Sequence, residues 1–92
     1  NKFNKADLEW EGKLIEVKTS RPSKKSGEWR FLLYRQKGKT DYFLVICKKR
    51  NDKTKHIFLI PDKDLSHSNL IISKHNLDKY KKYIFSGKGT EK

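Results

Sequence analysis

The stretch Ala6–Ser20, ADLEWEGKLIEVKTS, constrains the fold more than any other part of the chain. Its apolar residues fall at Leu8 and Trp10 and again at Ile15 and Val17, a period of two that predicts two short strands. Glu11-Gly12 lies between them, and glycine supplies the positive φ of a tight hairpin turn. With a two-residue turn, Trp10 faces Lys13, Leu8 faces Ile15 and Asp7 faces Glu16. A four-residue loop keeps that register, whereas a three-residue loop slips it by one and turns a side chain to the other face. Asp7, Glu16 and Lys18 take the opposite parity to the apolar residues and so share a face. Directly opposed carboxylates, with Cβ atoms about 4.5–5.5 Å apart, repel and weaken a hairpin. They become useful when a divalent cation sits between them, because hard cations take oxygen ligands. Lys18 points the same way, placed to supply a proton or hold an anion. The plainer account is a surface hairpin with a Glu–Lys pair that adds little stability. It leaves unexplained why Asp7 opposes an acid in a chain with so many lysines.

The chain has 92 residues, enough for one domain. A chain of this size buries little more than about 60% of its unfolded surface, and with 34% hydrophobic residues its core is thin. A second copy in a homodimer, or a larger parent chain, would supply what such a core lacks. Lys and Arg number 23 against 11 Asp and Glu, a net charge of +12. A domain this basic meets a polyanion, unless the excess only reflects a lysine-biased genome. One cysteine, Cys47, excludes an internal disulfide and a cysteine-rich zinc site, and favours a reducing, cytoplasmic setting. No apolar run approaches the roughly 18 residues of a membrane span. His56, His67 and His75 have no ligand spacing and read as surface or turn residues.

Along the chain, residues 1–86 form one domain and 87–92 a flexible tail. Ser20–Glu28, SRPSKKSGE, is a loop that leaves the hairpin just after Lys18. Its Arg21, Lys24 and Lys25 either contact phosphates beside the hairpin or serve solubility. WRFLLY at Trp29–Tyr34 is a strand. Its Arg30, set between aromatics, suits a nucleic acid, although Trp29, Phe31 and Leu33 read first as a core face. Arg35–Thr40 is a basic turn around Gly38 that carries Arg35, Lys37 and Lys39. Asp41–Lys49 holds the run YFLVIC, which lacks alternation and predicts a central strand covered on both faces. Asp41 reads as a turn residue or cap. Lys48–Lys55 is a charged turn, Ile57–Ile60 a strand closing at Pro61, and Asn69–Ser73 another short strand. A helix capped by Asn76 is expected from Leu77 to about Phe85.

Asp7, Glu16 and Lys18, with apolar Ile15 and Val17 among them, give a D-(x)-E-x-K pattern on a hairpin. With IEVKTS, the later WRF, DYFLVIC and FLIP, the chain resembles the PD-(D/E)XK phosphodiesterase superfamily. That group includes restriction endonucleases, junction resolvases and some homing endonucleases, and the likeness is to its small homing, mobile-element or resolvase-like members. It is close over Ala6–Ser20 and loose elsewhere. Ala6 stands where the pattern has proline, and only NKFNKA precedes Asp7, so the usual opening helix is expected either upstream, the chain being a piece of a longer one, or from elsewhere.

The resemblance implies an α+β fold with a central mixed β-sheet, opened by the catalytic hairpin and flanked by helices. It implies a DNA endonuclease with Asp7, Glu16 and Lys18 as catalytic residues. Mg²⁺, with Mn²⁺ as a substitute, would be held by Asp7, Glu16 and the main-chain carbonyl of Val17. Double-stranded DNA would lie on Arg21, Lys24, Lys25, Arg30, Arg35, Lys37 and Lys39, with the basic loops at 21–25, 35–39 and 48–55 holding its backbone. The alternative is a non-catalytic basic module that binds DNA or RNA and needs neither carboxylate.

Overall fold

The computed structural model describes residues 8–85. Asp7, the rest of the first seven residues and the 87–92 tail lie outside the described residues.

The hairpin forms in the expected register. β1 (Leu8–Trp10) runs antiparallel to β2 (Lys13–Ser20), with Leu8 opposite Ile15 and Trp10 opposite Lys13. The turn is two residues long, and both of them have positive φ, Glu11 at 50° and Gly12 at 81°. That backbone matches the right-handed twist of the flanking strands.

β3 (Trp29–Leu32) follows the loop, then β4 (Tyr42–Lys48), β5 (Thr54–Pro61) and β6 (Asn69–Ile72). A four-stranded mixed sheet has the order β1-β2-β4-β5, with β2 parallel to β4 and the other pairs antiparallel. The second sheet is the antiparallel pair β3-β6. The connection between parallel β2 and β4 therefore passes through the other layer. Asp41 fixes where β4 begins: its carboxylate accepts a hydrogen bond from the Leu14 N–H at 2.8 Å, and its own N–H donates to the Leu14 carbonyl at 2.9 Å. Asp41 is thus the capping residue its place in the sequence suggested.

One core joins the two sheets. Trp29, Phe31, Leu70 and Ile72 point inward from the small sheet onto Phe43, Val45, Phe58 and Ile60 of the large one. Leu77, Tyr80 and Tyr83 close one side.

Three expectations are corrected. The YFLVIC strand is interior, but only one of its faces is fully covered: Phe43, Val45 and Cys47 are buried, whereas Tyr42, Leu44 and Ile46 are half-buried. The second layer is a small sheet, with 3-10 segments at Asp62–Asp64 and Leu77–Tyr83 as the helical parts among the described residues. The expected cap is also different. The Asn76 side chain accepts from the Ser73 N–H and donates to the Ile71 carbonyl, so it ties the segment to β6 rather than capping it. No helix among the described residues is long and apolar enough to cross a membrane.

Candidate nuclease site and basic surface

Glu16 and Lys18 stand on the face of β2 that turns toward the small sheet. In the parallel ladder Glu16 lies beside Phe43 and Lys18 beside Val45, and both neighbours are fully buried. The alternation of the sequence is therefore right in parity, while the polar face of β2, rather than the apolar one, adjoins the core. Ile15 and Val17 point to the opposite face, beside Tyr42 and Leu44, where Ile15 is also buried and Val17 half-buried.

Glu16 is 7% exposed, and its Oε2 lies 4.0 Å from the Lys18 Nζ. The ammonium is the more open of the two, with the Lys18 side chain 24% exposed against 10% for Glu16. An enclosed carboxylate is costly unless charge and hydrogen bonding compensate for lost water. An apolar side chain there would join Phe43 in the core at no such cost. Val17 pairs with Leu44 and sends its side chain to the other face, so only its main chain is oriented to take part in a site with Glu16. Asp7, the third expected member, lies outside the described residues. In kind, a carboxylate and a peptide carbonyl suit a hard cation such as Mg²⁺. Among the described residues no three His, Cys, Asp or Glu side chains cluster around one point. Of the expected set, Glu16 and the Val17 main chain are the members that lie among the described residues.

The seven basic residues expected to contact DNA do not form one surface. β2 and β4 run parallel, so the 21–28 loop and the 49–53 turn lie at one end of the large sheet. Arg35, Lys37 and Lys39 lie at the other end, about 20 Å away along β4 at 3.3 Å per residue. Lys37 is engaged with Asp62, donating to its carbonyl at 2.9 Å and approaching its carboxylate at 3.1 Å. Arg30 pairs with Glu28 at 3.2 Å. Arg35 lies over the Tyr34 ring. Arg21 grips Asp52 through Nη2 at 2.8 Å and Nε at 3.1 Å. That contact, with Lys48 adding to it, holds the Asp52 carboxyl below its usual range. Lys24 and Lys25 are exposed.

Sequence reasoning missed the surroundings of Trp29. The indole is buried as expected of a core face, and its N–H donates to the Lys48 carbonyl at 2.8 Å. His56, read as a surface or turn residue, instead lies in β5 with its ring edge-on to Trp29, centroids 5.7 Å apart. Burial, then the neighbouring Lys55 charge, lowers its pKa. The register between β4 and β5 shifts after Cys47: Cys47 pairs with His56 but Lys48 with Thr54, which makes Lys55 the extra residue. A bulge of this kind re-aims a side chain, and the Lys55 ammonium lies 5.9 Å from the centre of the Trp29 ring. The charge run at Lys48–Lys55 was visible in the sequence, but the bulge that sorts it was not.

No protein-family model matches the chain, and no curated protein or solved structure matches it either.

Proposed function

We propose that the chain is a metal-dependent endonuclease that hydrolyses DNA phosphodiester bonds at Glu16 and Lys18, with Asp7 as the second carboxylate. One observation carries the reading: a carboxylate is kept at a nearly enclosed position on β2, with an amine two residues on at 4.0 Å. Packing would favour a leucine or valine there. The +12 charge supports a polyanionic substrate.

In this reading the Glu16 and Asp7 carboxylates and the Val17 carbonyl hold Mg²⁺, which when bound supplies polarisation of the phosphoryl oxygen and a more acidic water. The chain's own contribution is placement. Glu16 is fixed by a strand laddered to β4, so little reorganisation accompanies reaction. The Lys18 ammonium, the more exposed partner, faces the scissile phosphate and stabilises the charge that grows as water adds to phosphorus. The adding water gives up a proton to solvent, the bond from phosphorus to the leaving sugar oxygen breaks, and that oxygen takes up a proton from solvent.

The test is plasmid nicking in Mg²⁺ by wild type, Glu16→Gln and Lys18→Ala, with circular dichroism to establish folding. Glu16→Gln keeps the side-chain volume and should lose about a hundredfold or more in rate, in line with removing one preorganised electrostatic group. Duplex binding in Ca²⁺ should survive. Cleavage at the wild-type rate in folded Glu16→Gln rejects the site. Duplex binding by a wild type that never cuts identifies the non-catalytic binding module instead.

A further inference from the structure

A groove of about 480 Å³ lies between the 21–28 loop and the 49–53 turn, bordered by Pro22, Gly27, Trp29, Lys49, Arg50 and Lys55. Among the described residues no carboxylate lines it. This sorting of charge is structural. The turn carries one acid, Asp52, whose φ of 73° belongs to its tight closure, where its N–H donates to the Lys49 carbonyl at 2.9 Å. Its carboxylate points into the neighbouring cleft with Arg21 and Lys48. The groove side keeps the cations.

The groove is also held in shape. Trp29 forms its wall and is pinned by the hydrogen bond to Lys48. The β5 bulge brings Lys55 over that wall, where the ring face attracts the ammonium without neutralising it. Arg50 Nη2 donates to the Ser23 carbonyl at 3.3 Å and ties the turn to the loop, which leaves its formal charge unbalanced. Lys49 is exposed beside it. Three cations on a fixed, acid-free wall suit a row of phosphates.

We propose that this groove takes the sugar–phosphate backbone of a DNA duplex, with Lys49, Arg50 and Lys55 on its phosphates. The identity of the polymer rests on the nuclease reading. β2 leads from Lys18 to this end of the sheet, and the four residues to Pro22 span about 13 Å at 3.3 Å each. At 3.4 Å per nucleotide, the groove engages phosphates roughly four nucleotides from the one at Glu16. The sequence offers the whole 48–55 loop for the backbone, and the groove narrows it to Lys49, Arg50 and Lys55.

The experiment measures affinity of the full chain for a 20-base-pair duplex in EDTA across a salt series, so no cleavage intervenes. The variant Lys49→Ala/Arg50→Ala/Lys55→Ala is compared with a charge-matched Lys63→Ala/Lys74→Ala/Lys79→Ala, whose residues are exposed elsewhere. Each phosphate contact contributes about 0.9 to the slope of log K against log salt. The groove variant should therefore flatten the slope by about 2–3, and the control by less than one. An equal change in both, or a groove variant with the wild-type slope, overturns the proposal. The two readings fail separately: an unchanged slope leaves Glu16 and Lys18 untouched, and cleavage by Glu16→Gln leaves the slope result standing.

Discussion

Glu16 and Cys47 are both enclosed on the same face of the large sheet, yet their chemistry diverges because their neighbours differ. Glu16 has an ammonium at 4.0 Å. Cys47 sits fully buried between Ser20 and His56 in the ladder, and burial pushes its thiol up to about 12. Only the thiolate is nucleophilic, so Cys47 should be inert in the folded chain. The prediction is that iodoacetamide at pH 9 leaves native protein unlabelled and adds one equivalent in urea. Labelling of the native chain at the urea rate would show that the thiol is not enclosed. The same shift has a sign in stability. The folded state holds its proton more tightly than the unfolded one, whose thiol has a value of 9.0. The associated stability is therefore fully present below pH 9 and is lost as pH rises toward about 12.

The elements show which signals travel in a sequence and which do not. The hairpin was legible because its determinants are local: alternation over four residues each way and a Glu-Gly pair that accepts positive φ. The inward set Trp29, Phe31 and Leu33 was legible for the same reason. The pairing of β3 with β6 was not, because Trp29 and Ile72 are partners across 42 intervening positions. No local period encodes such a contact. In the last helical segment the apolar residues Leu77, Tyr80 and Tyr83 recur every three residues. That is the period of a 3-10 helix, whose side chains at i and i+3 eclipse, so the signal was present and was read with the α period. Half of the candidate site, Glu16 and Lys18 on one face, followed from parity. The half-open apolar face behind it did not, since parity says which residues share a face and not which face meets the core. The turn itself offers a prediction. Glu11 is strained at φ 50°, a conformation that asparagine tolerates better and that an Asn-Gly pair favours. Glu11→Asn should stabilise the domain by about 0.5–1 kcal/mol, within the range of such backbone effects. For a chain of this length that raises Tm by roughly 2–8 °C. A lower Tm in a thermal melt would mean that the Glu11 side chain makes a contact worth more than the strain it carries.

At the scale of the whole molecule, the two sheets are too small to stand apart. A two-stranded ribbon is marginal in water by itself, and β3-β6 is one; its inward side chains are buried only because β4 and β5 lie beneath them. Phe58 is central to this arrangement. It is fully buried, it follows His56 in β5 with ring centroids 5.9 Å apart, and it meets Tyr80 of the 77–83 segment at 6.4 Å. A chain of 92 residues has a stability toward the low end of the usual range of about 5–15 kcal/mol. Removing a buried phenylalanine costs about 3–5 kcal/mol, a large share of that total. Phe58→Ala should therefore cut the urea midpoint by half or more with an unchanged m-value, since the surface exposed on unfolding stays nearly the same. With the exposed Trp10 of β1 replaced by phenylalanine throughout, Trp29 emission reports the small sheet and far-ultraviolet circular dichroism reports the strands of both. If one core holds the layers together, the two probes shift together in wild type and variant alike. If Trp29 emission moved at lower urea than the dichroism, the β3-β6 layer would open by itself, and the groove that Trp29 walls would lose its rigid side before the Glu16 strand was disturbed.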